Sequence, residues 1–188
     1  MTKRLFIAVK IHAGSELIDT FETIRKSLKN EKIKWVDPNI LHITLKFLGD
    51  TQTEQIGAIS QILKQIATQF KPFEFIIQKT GVFRSLRDPR VIWFGIDGAE
   101  TMAKIAAAIE KELAPLGFPP ENKDFKPHLT LGRIKEIENV NKLKAVLNEH
   151  HDVILQTEAV PCFYLYESVL TPKGPVYSVL EEFGLGVV

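Results

Sequence analysis

Two of the five histidines in this sequence stand in the same four-residue pattern, H-x-T-L, which begins at His42 and again at His128. On a β-strand, residues i and i+2 point to the same face, so each histidine shares a face with the threonine two residues later, Thr44 or Thr130. The apolar residues of each pattern point the other way, toward a core. The pattern therefore predicts two strands that each present an imidazole and a hydroxyl on their open side.

Two imidazoles that meet across one cleft suit the cleavage of phosphate esters. An unperturbed histidine has a pKa of about 6.5, so near neutral pH one ring can be neutral while the other is protonated. The neutral ring can accept a proton from water, and the charged ring can donate one to a leaving oxygen. Thr44 and Thr130 can each donate a hydrogen bond to a phosphate oxygen. This scheme requires neither a metal nor a cofactor, and the pattern does not decide which ring is the acid.

An internal repeat argues against the alternative of two unrelated strand histidines, each satisfied by its neighbouring threonine. Phe6 precedes His42 by 36 residues, and Trp93 precedes His128 by 35. Each half of the chain, approximately 1–90 and 91–188, reads strand, helix, H-x-T-L strand, helix, strand. We therefore expect one α+β domain over 1–188 with two pseudo-symmetric lobes, each a small antiparallel sheet backed by helices. The central cleft would carry one motif from each lobe.

Apolar periodicity and turn residues predict where the individual elements lie. Helices are expected at 15–30, 53–70, 100–116 and 140–150. Strands are expected at 5–10, 41–48, 73–83, 91–96, within 125–133, at 153–166 with a bulge near Pro161, and at 176–181.

The composition is that of an ordinary globular protein. Lys and Arg number 24 against 23 Asp and Glu, so the net charge gives no case for tight, nonspecific binding of nucleic acid. The single cysteine, Cys162, excludes an internal disulfide and a cysteine-based zinc site, and its apolar surroundings indicate a buried thiol. The N-terminal apolar run is too short for a signal-peptide core, and no segment approaches membrane-spanning length. We expect a cytoplasmic monomer with no membrane association.

The chain resembles the two-histidine (2H) phosphoesterase superfamily in its paired H-x-T-L motifs. Residues 35–49, 127–133 and 165–177 are similar to the bacterial and archaeal RNA 2′,3′-cyclic phosphodiesterase family, also called 2′-5′ RNA ligase. The resemblance implies that His42 is the proton donor and His128 the proton acceptor in opening a 2′,3′-cyclic phosphate to a 2′-phosphate. It also implies that the partner is RNA with 2′,3′-cyclic phosphate ends, with tRNA fragments as one candidate.

Arg133 and Phe47 occupy matching positions, each five residues after its motif histidine. In an unbroken strand this parity would turn Arg133 away from the cleft, but Gly132 can break the pleat and turn it back. A guanidinium suits a phosphate, and the resemblance implies an anion-binding arginine at this position. Phe47 could stack on a nucleobase, or it could be a core residue.

Three other functions remain open from the sequence. The same two histidines could join RNA ends through a 2′-5′ linkage, which is the reverse reaction. A related 2H phosphodiesterase could act on a small cyclic nucleotide. A protein from another class, a noncatalytic binder of RNA ends, could retain the same pocket.

Overall fold

A computed structural model of the protein describes residues 1–121, 124–172 and 174–186. Within them, no helix is long and apolar enough to cross a membrane. The α-helices are α1 (Ser15–Ser27), α2 (Ile56–Thr68), α3 (Glu100–Leu113) and α4 (Val140–Glu149). The strands are β1 (Thr2–Lys10), β2 (Lys32–Trp35), β3 (His42–Gln52), β4 (Phe73–Ser85), β5 (Asp88–Asp97), β6 (His128–Glu136), β7 (Ile154–Val160), β8 (Cys162–Thr171) and β9 (Gly174–Gly184).

The strands form two antiparallel sheets, each covered by helices on one face. Sheet A has the order β3-β1-β8-β9, and sheet B has the order β2-β6-β5-β4-β7. Helices α2 and α3 pack on sheet A, while α1 and α4 pack on sheet B. The inner faces of the sheets and the apolar faces of the helices form one continuous core. The predicted α+β architecture of two helix-backed antiparallel sheets is confirmed.

The two sheets do not coincide with the two halves of the chain. Sheet A takes β1 and β3 from the first half and β8 and β9 from the second, and sheet B also combines strands from both halves. The helices cross over as well, because α1 follows β1 but packs on sheet B, and α3 follows β5 but packs on sheet A. A hairpin between β4 and β5 spans the chain midpoint. Each half therefore contributes to both lobes.

Two elements differ from the prediction made on periodicity. Residues 153–166 are not one bulged strand, because Pro161 separates β7, in sheet B, from β8, in sheet A. Proline has no N–H to donate to a ladder, so a change of sheet at this position costs no backbone hydrogen bond. Strand β2 was not predicted. It is a four-residue edge strand beside β6, too short to carry a readable period.

An ion pair around a buried lysine ties sheet A to the segment that leads into β6. The side chain of Lys46, in β3, is only 2% exposed and pairs with Glu110 of α3. The Lys46 ammonium also donates to the carbonyl oxygen of Pro119 at 3.0 Å. The Glu110 carboxylate accepts the backbone N–H of Glu121 at 3.3 Å. Because α3 packs on sheet A while His128 begins a strand of sheet B, these contacts anchor the crossover between the sheets.

Candidate active site

His42 is the first residue of β3 and lies half-buried on the open face of sheet A. Its Nδ1 is 2.8 Å from the carbonyl oxygen of Ile40. A carbonyl oxygen can only accept a hydrogen bond, so Nδ1 carries a hydrogen and Nε2 is left to exchange protons with a ligand. The ring centroid of Phe6 lies 5.0 Å away and that of Tyr177 lies 5.2 Å away, edge to face. These contacts hold the imidazole in one orientation.

His128 repeats this arrangement at the start of β6. Its Nδ1 lies 2.7 Å from the carbonyl oxygen of Lys126, so Nε2 is again the nitrogen that remains for a ligand. Phe83 packs against the ring at right angles, with centroids 4.7 Å apart. The two histidines therefore present the same nitrogen with the same hydrogen-bond support, as their shared motif predicts.

The two motif threonines lie on the same faces as their histidines. Thr44 pairs with Ala8 of β1, and Thr130 pairs with Trp93 of β5. Both threonines are half-buried, while the leucine or isoleucine next to each is fully buried on the helix-covered side. The alternation predicted for the two strands is therefore present in both sheets.

Strand β6 contains a β-bulge directly after Thr130. Thr130 pairs with Trp93 and Gly132 with Ile92, which leaves Leu131 as an extra residue without a partner on β5. An extra residue reverses the alternation of side chains beyond it. The side chains that follow the bulge therefore lie on the faces opposite to those of an unbroken strand.

This bulge turns Arg133 to the open face of sheet B. Arg133 is exposed, and Ile134 takes the inward position with only 6% of its surface exposed. The sequence predicted that the strand irregularity is at Gly132, whereas the bulged residue in the structure is its neighbour Leu131. Gly132 is required for a different reason, because a Cβ there would lie 2.8 Å from Cγ2 of Ile33. The reversal thus depends on strand pairing, and the glycine permits the close packing beside it.

A matching bulge on β3 turns Phe47 outward. The register of β1 and β3 leaves Leu45 as the extra residue after Thr44. Phe47 is 56% exposed, and its ring centroid lies 6.1 Å from that of Phe6 on the open face of sheet A. Phe47 is therefore not a core residue, and the core interpretation of this position is wrong. The same bulge turns Lys46, the residue directly after Leu45, toward the core, which explains why its side chain is buried.

The charge of Arg133 acts on side chains from both sheets. Burial lowers the pKa of His42 and of His128 below the usual value of 6.5, and the Arg133 guanidinium lowers both further, against the hydrogen bonds to the backbone carbonyls. Burial raises the pKa of Tyr177, and Arg133 opposes that rise. In addition, Cα atoms of β3 and β6 approach within 8 Å. The strands that begin at His42 and His128 therefore adjoin each other, and the cleft between their open faces is the candidate active site.

Aromatic side chains outside the two motifs lie beside each motif histidine. Tyr166 and Tyr177 lie with His42 around a cavity of about 150 Å³, and Phe83 lies beside His128. Burial raises the pKa of Tyr166 to about 12, so its hydroxyl stays neutral. A larger cavity, of about 310 Å³, lies between α4 and the β4–β5 strands and contains neither motif histidine. The smaller cavity is therefore the one that adjoins the candidate chemistry.

The chain matches known proteins along almost its whole length. A family model described as LigT-like phosphoesterase matches residues 9–93 and 96–177. An RNA 2′,3′-cyclic phosphodiesterase of Methanothermobacter thermautotrophicus is 36% identical over 187 residues, which are 98% of this chain and 100% of the relative. A protein of the same name from Archaeoglobus fulgidus is 33% identical over 181 residues, which are 96% of this chain and 99% of the relative.

Solved structures give the same result. The crystal structure of TT0787 of Thermus thermophilus has a TM-score of 0.77 and 31% identity, covering 97% of this chain and 98% of that one. E. coli LigT complexed with 3′-AMP has a TM-score of 0.78 and 26% identity, covering 98% of this chain and 99% of that one. The resemblance inferred from the paired motifs is confirmed, and this chain belongs to the LigT-like phosphoesterase family.

Proposed function

We propose that this protein hydrolyses the 2′,3′-cyclic phosphate end of RNA to a 2′-phosphomonoester. The observation that carries the proposal is the matched pair of histidines, His42 and His128, each with Nδ1 held by a backbone carbonyl. Both Nε2 atoms are left for a ligand within reach of the charge of Arg133. Relatives named RNA 2′,3′-cyclic phosphodiesterase, at 32–36% identity, support this substrate class.

In this proposal each histidine moves one proton. The oxygen of a water molecule attacks phosphorus while its proton passes to Nε2 of His128. The bond from phosphorus to the 3′ oxygen breaks, and His42 donates its proton to that oxygen. The products are a free 3′ hydroxyl and a 2′-phosphate, and exchange with solvent restores both rings. The two rings have nearly equivalent environments, which do not distinguish the acid from the base. Family resemblance supports His42 as the proton donor and His128 as the proton acceptor.

The phosphate would be held by groups that surround the two rings. The hydroxyls of Thr44 and Thr130 donate to the non-bridging oxygens, and Arg133 supplies charge-assisted hydrogen bonds that strengthen as negative charge develops. Phe47 offers an exposed ring on the same face for a nucleobase. We propose in addition that the protein acts as a cytoplasmic monomer on RNA, with fragments of tRNA as one candidate substrate.

The decisive experiment is hydrolysis of an RNA oligonucleotide that ends in a 2′,3′-cyclic phosphate, with EDTA present. We expect turnover to a product with a 2′-phosphate. Binding without turnover would identify a noncatalytic RNA-end binder. Turnover of free cyclic nucleotides alone would indicate a small-molecule enzyme. Activity that EDTA abolishes and a divalent ion restores would indicate a metal hydrolase.

The pH dependence should show the lowered pKa values of both rings. The acceptor must be neutral and the donor protonated, so kcat/KM should be bell-shaped with its optimum below the ordinary histidine pKa of 6.5. A bound phosphate anion favours imidazolium, so the kcat profile of the complex should lie at higher pH. Steady-state rates across the acid and neutral range test this. A kcat/KM optimum above 6.5 would contradict it.

Arg133→Lys should weaken turnover while leaving the pH profile in place. Lysine keeps the charge but loses the planar fork, so we expect kcat/KM to fall by roughly tenfold. Arg133→Gln should instead move the kcat/KM optimum upward, because the charge that depresses both histidine pKa values is gone. Arg90→Lys, at an exposed arginine paired with Asp88, is the matched control. Unchanged kinetics in Arg133→Lys would remove Arg133 from the phosphate site.

A further inference from the structure

Two cations lie directly opposite each other at the edge of sheet B. Lys34 of β2 is the register partner of Arg133 of β6, and directly opposed residues of an antiparallel pair point to the same face. Both side chains are exposed. The next pair along these strands, Trp35 and Gly132, packs inward instead, where Trp35 meets Phe21 edge to face. Lys34 therefore shares the open face with Arg133.

In the part of the chain that the structure describes, neither cation of this pair forms a salt bridge. Among residues 1–121, 124–172 and 174–186, no carboxylate lies within 4.0 Å of either Lys34 or Arg133. The carboxylate that β6 offers to β2, Glu136, is bound to Lys32 at 2.5 Å. Like charges placed directly opposite on neighbouring strands destabilise a sheet. An anionic ligand that lies between them removes this cost.

The pair also lies at the border of the candidate active site. Arg133 lies on the open face of β6, the same strand that begins at His128 and carries Thr130 on that face. Lys34 lies across from Arg133 on β2, which is an edge strand of sheet B among the described residues. A chain of phosphates that begins at the two histidines and continues past Arg133 would therefore meet Lys34 next.

We propose that Lys34 binds the phosphodiester on the 5′ side of the terminal nucleotide, one phosphate before the cyclic one. This inference rests on the proposed function. It assigns the substrate class, because only an RNA of two or more nucleotides, or a terminal nucleotide with a 5′-phosphate, has an anion at this place. A nucleoside 2′,3′-cyclic phosphate lacks it. Lys34 then favours RNA ends over free cyclic nucleosides.

The experiment compares kcat/KM for a short RNA with a 2′,3′-cyclic end against kcat/KM for a nucleoside 2′,3′-cyclic phosphate. Lys34→Gln should lower the ratio of RNA to nucleoside by roughly tenfold, the value of one hydrogen bond to a charged group. Lys34→Arg should restore the ratio. The salt dependence of kcat/KM on RNA should become shallower by about 0.7 in log–log slope for the one lost phosphate contact. Lys32→Gln, the same charge change at a paired lysine of the same strand, should keep the ratio.

An unchanged ratio in Lys34→Gln would overturn the assignment of Lys34, and continued hydrolysis of both substrates would leave the proposed function standing. Equal losses in Lys34→Gln and Lys32→Gln would also overturn it, because general attraction of RNA would then explain the effect. Circular dichroism of each variant checks that the overall fold is intact. Wild-type protein inactive on both substrates would contradict the proposed function instead.

Discussion

Replacing either His42 or His128 with alanine is expected to lower kcat on a 2′,3′-cyclic RNA end by about 10²–10⁴-fold, the usual contribution of one general acid or base. Each ring is fixed by a carbonyl at Nδ1 and loses its only proton-exchanging nitrogen on truncation. Single-turnover rates with saturating enzyme in excess over substrate measure the chemical step directly. Both proteins should remain folded, because neither ring belongs to the main core.

The double variant separates a partnership from two independent contributions. If both histidines act in one step, the doubly substituted protein should be little slower than the slower single variant. His151→Ala, at an exposed histidine far from the motifs in sequence, is the matched control and should keep wild-type turnover. A folded His42→Ala or His128→Ala variant with near-normal turnover would exclude the two-histidine mechanism.

Glu110→Ala is expected to reduce the free energy of unfolding by about 3 kcal/mol, because it removes the ion-pair partner of a buried ammonium. The side chain of Lys46 is 2% exposed and cannot turn to solvent without breaking the β3 bulge that points it inward. Glu110 also holds the N–H of Glu121, so the loss should loosen the crossover toward β6. Urea unfolding followed by tryptophan fluorescence gives the free energy.

A second substitution tests whether the unpaired charge is the cause. Lys46→Met combined with Glu110→Ala replaces the buried ammonium by an apolar side chain of similar length, and should recover much of the lost stability. Glu112→Ala, on the same helix at a half-exposed carboxylate, should change the free energy of unfolding little. A double variant less stable than Glu110→Ala would show that the ion pair itself, and not the isolated charge, stabilises the crossover.

Local sequence was sufficient for the helices, most strands and the faces of the two motifs. A helix of three or more turns carries its own apolar period, as α1 and α3 show with buried residues on one side. The parity of His42 with Thr44 and of His128 with Thr130 depends only on each segment being a strand. The recurrence of one motif in both halves then predicted a shared cleft. None of these inferences needs to know which strands are neighbours.

Positions that depend on pairing between distant segments came only from the tertiary structure. The direction of Arg133 and Phe47 follows from bulges, which exist only relative to β5 and β1, and the sequence alone left Phe47 open between core and cleft. The burial of Lys46 and the contact of Phe83 with His128 also depend on pairing between distant segments, so the sequence did not predict them. The position of Lys34 could not be predicted either, because its strand is only four residues long and its facing depends on pairing with β6.

The sequence by itself therefore determined which side chains do the proposed chemistry, because strand parity and residue type are local properties. Only the tertiary structure decided what surrounds them. The crossing of α1 and α3 between the sheets distributes each half over both lobes. Burial lowers the pKa of the histidines in both sheets, and one arginine of sheet B lowers both further. Register, bulges and charge neighbours are set by contacts between residues far apart in the chain, and no local period records them.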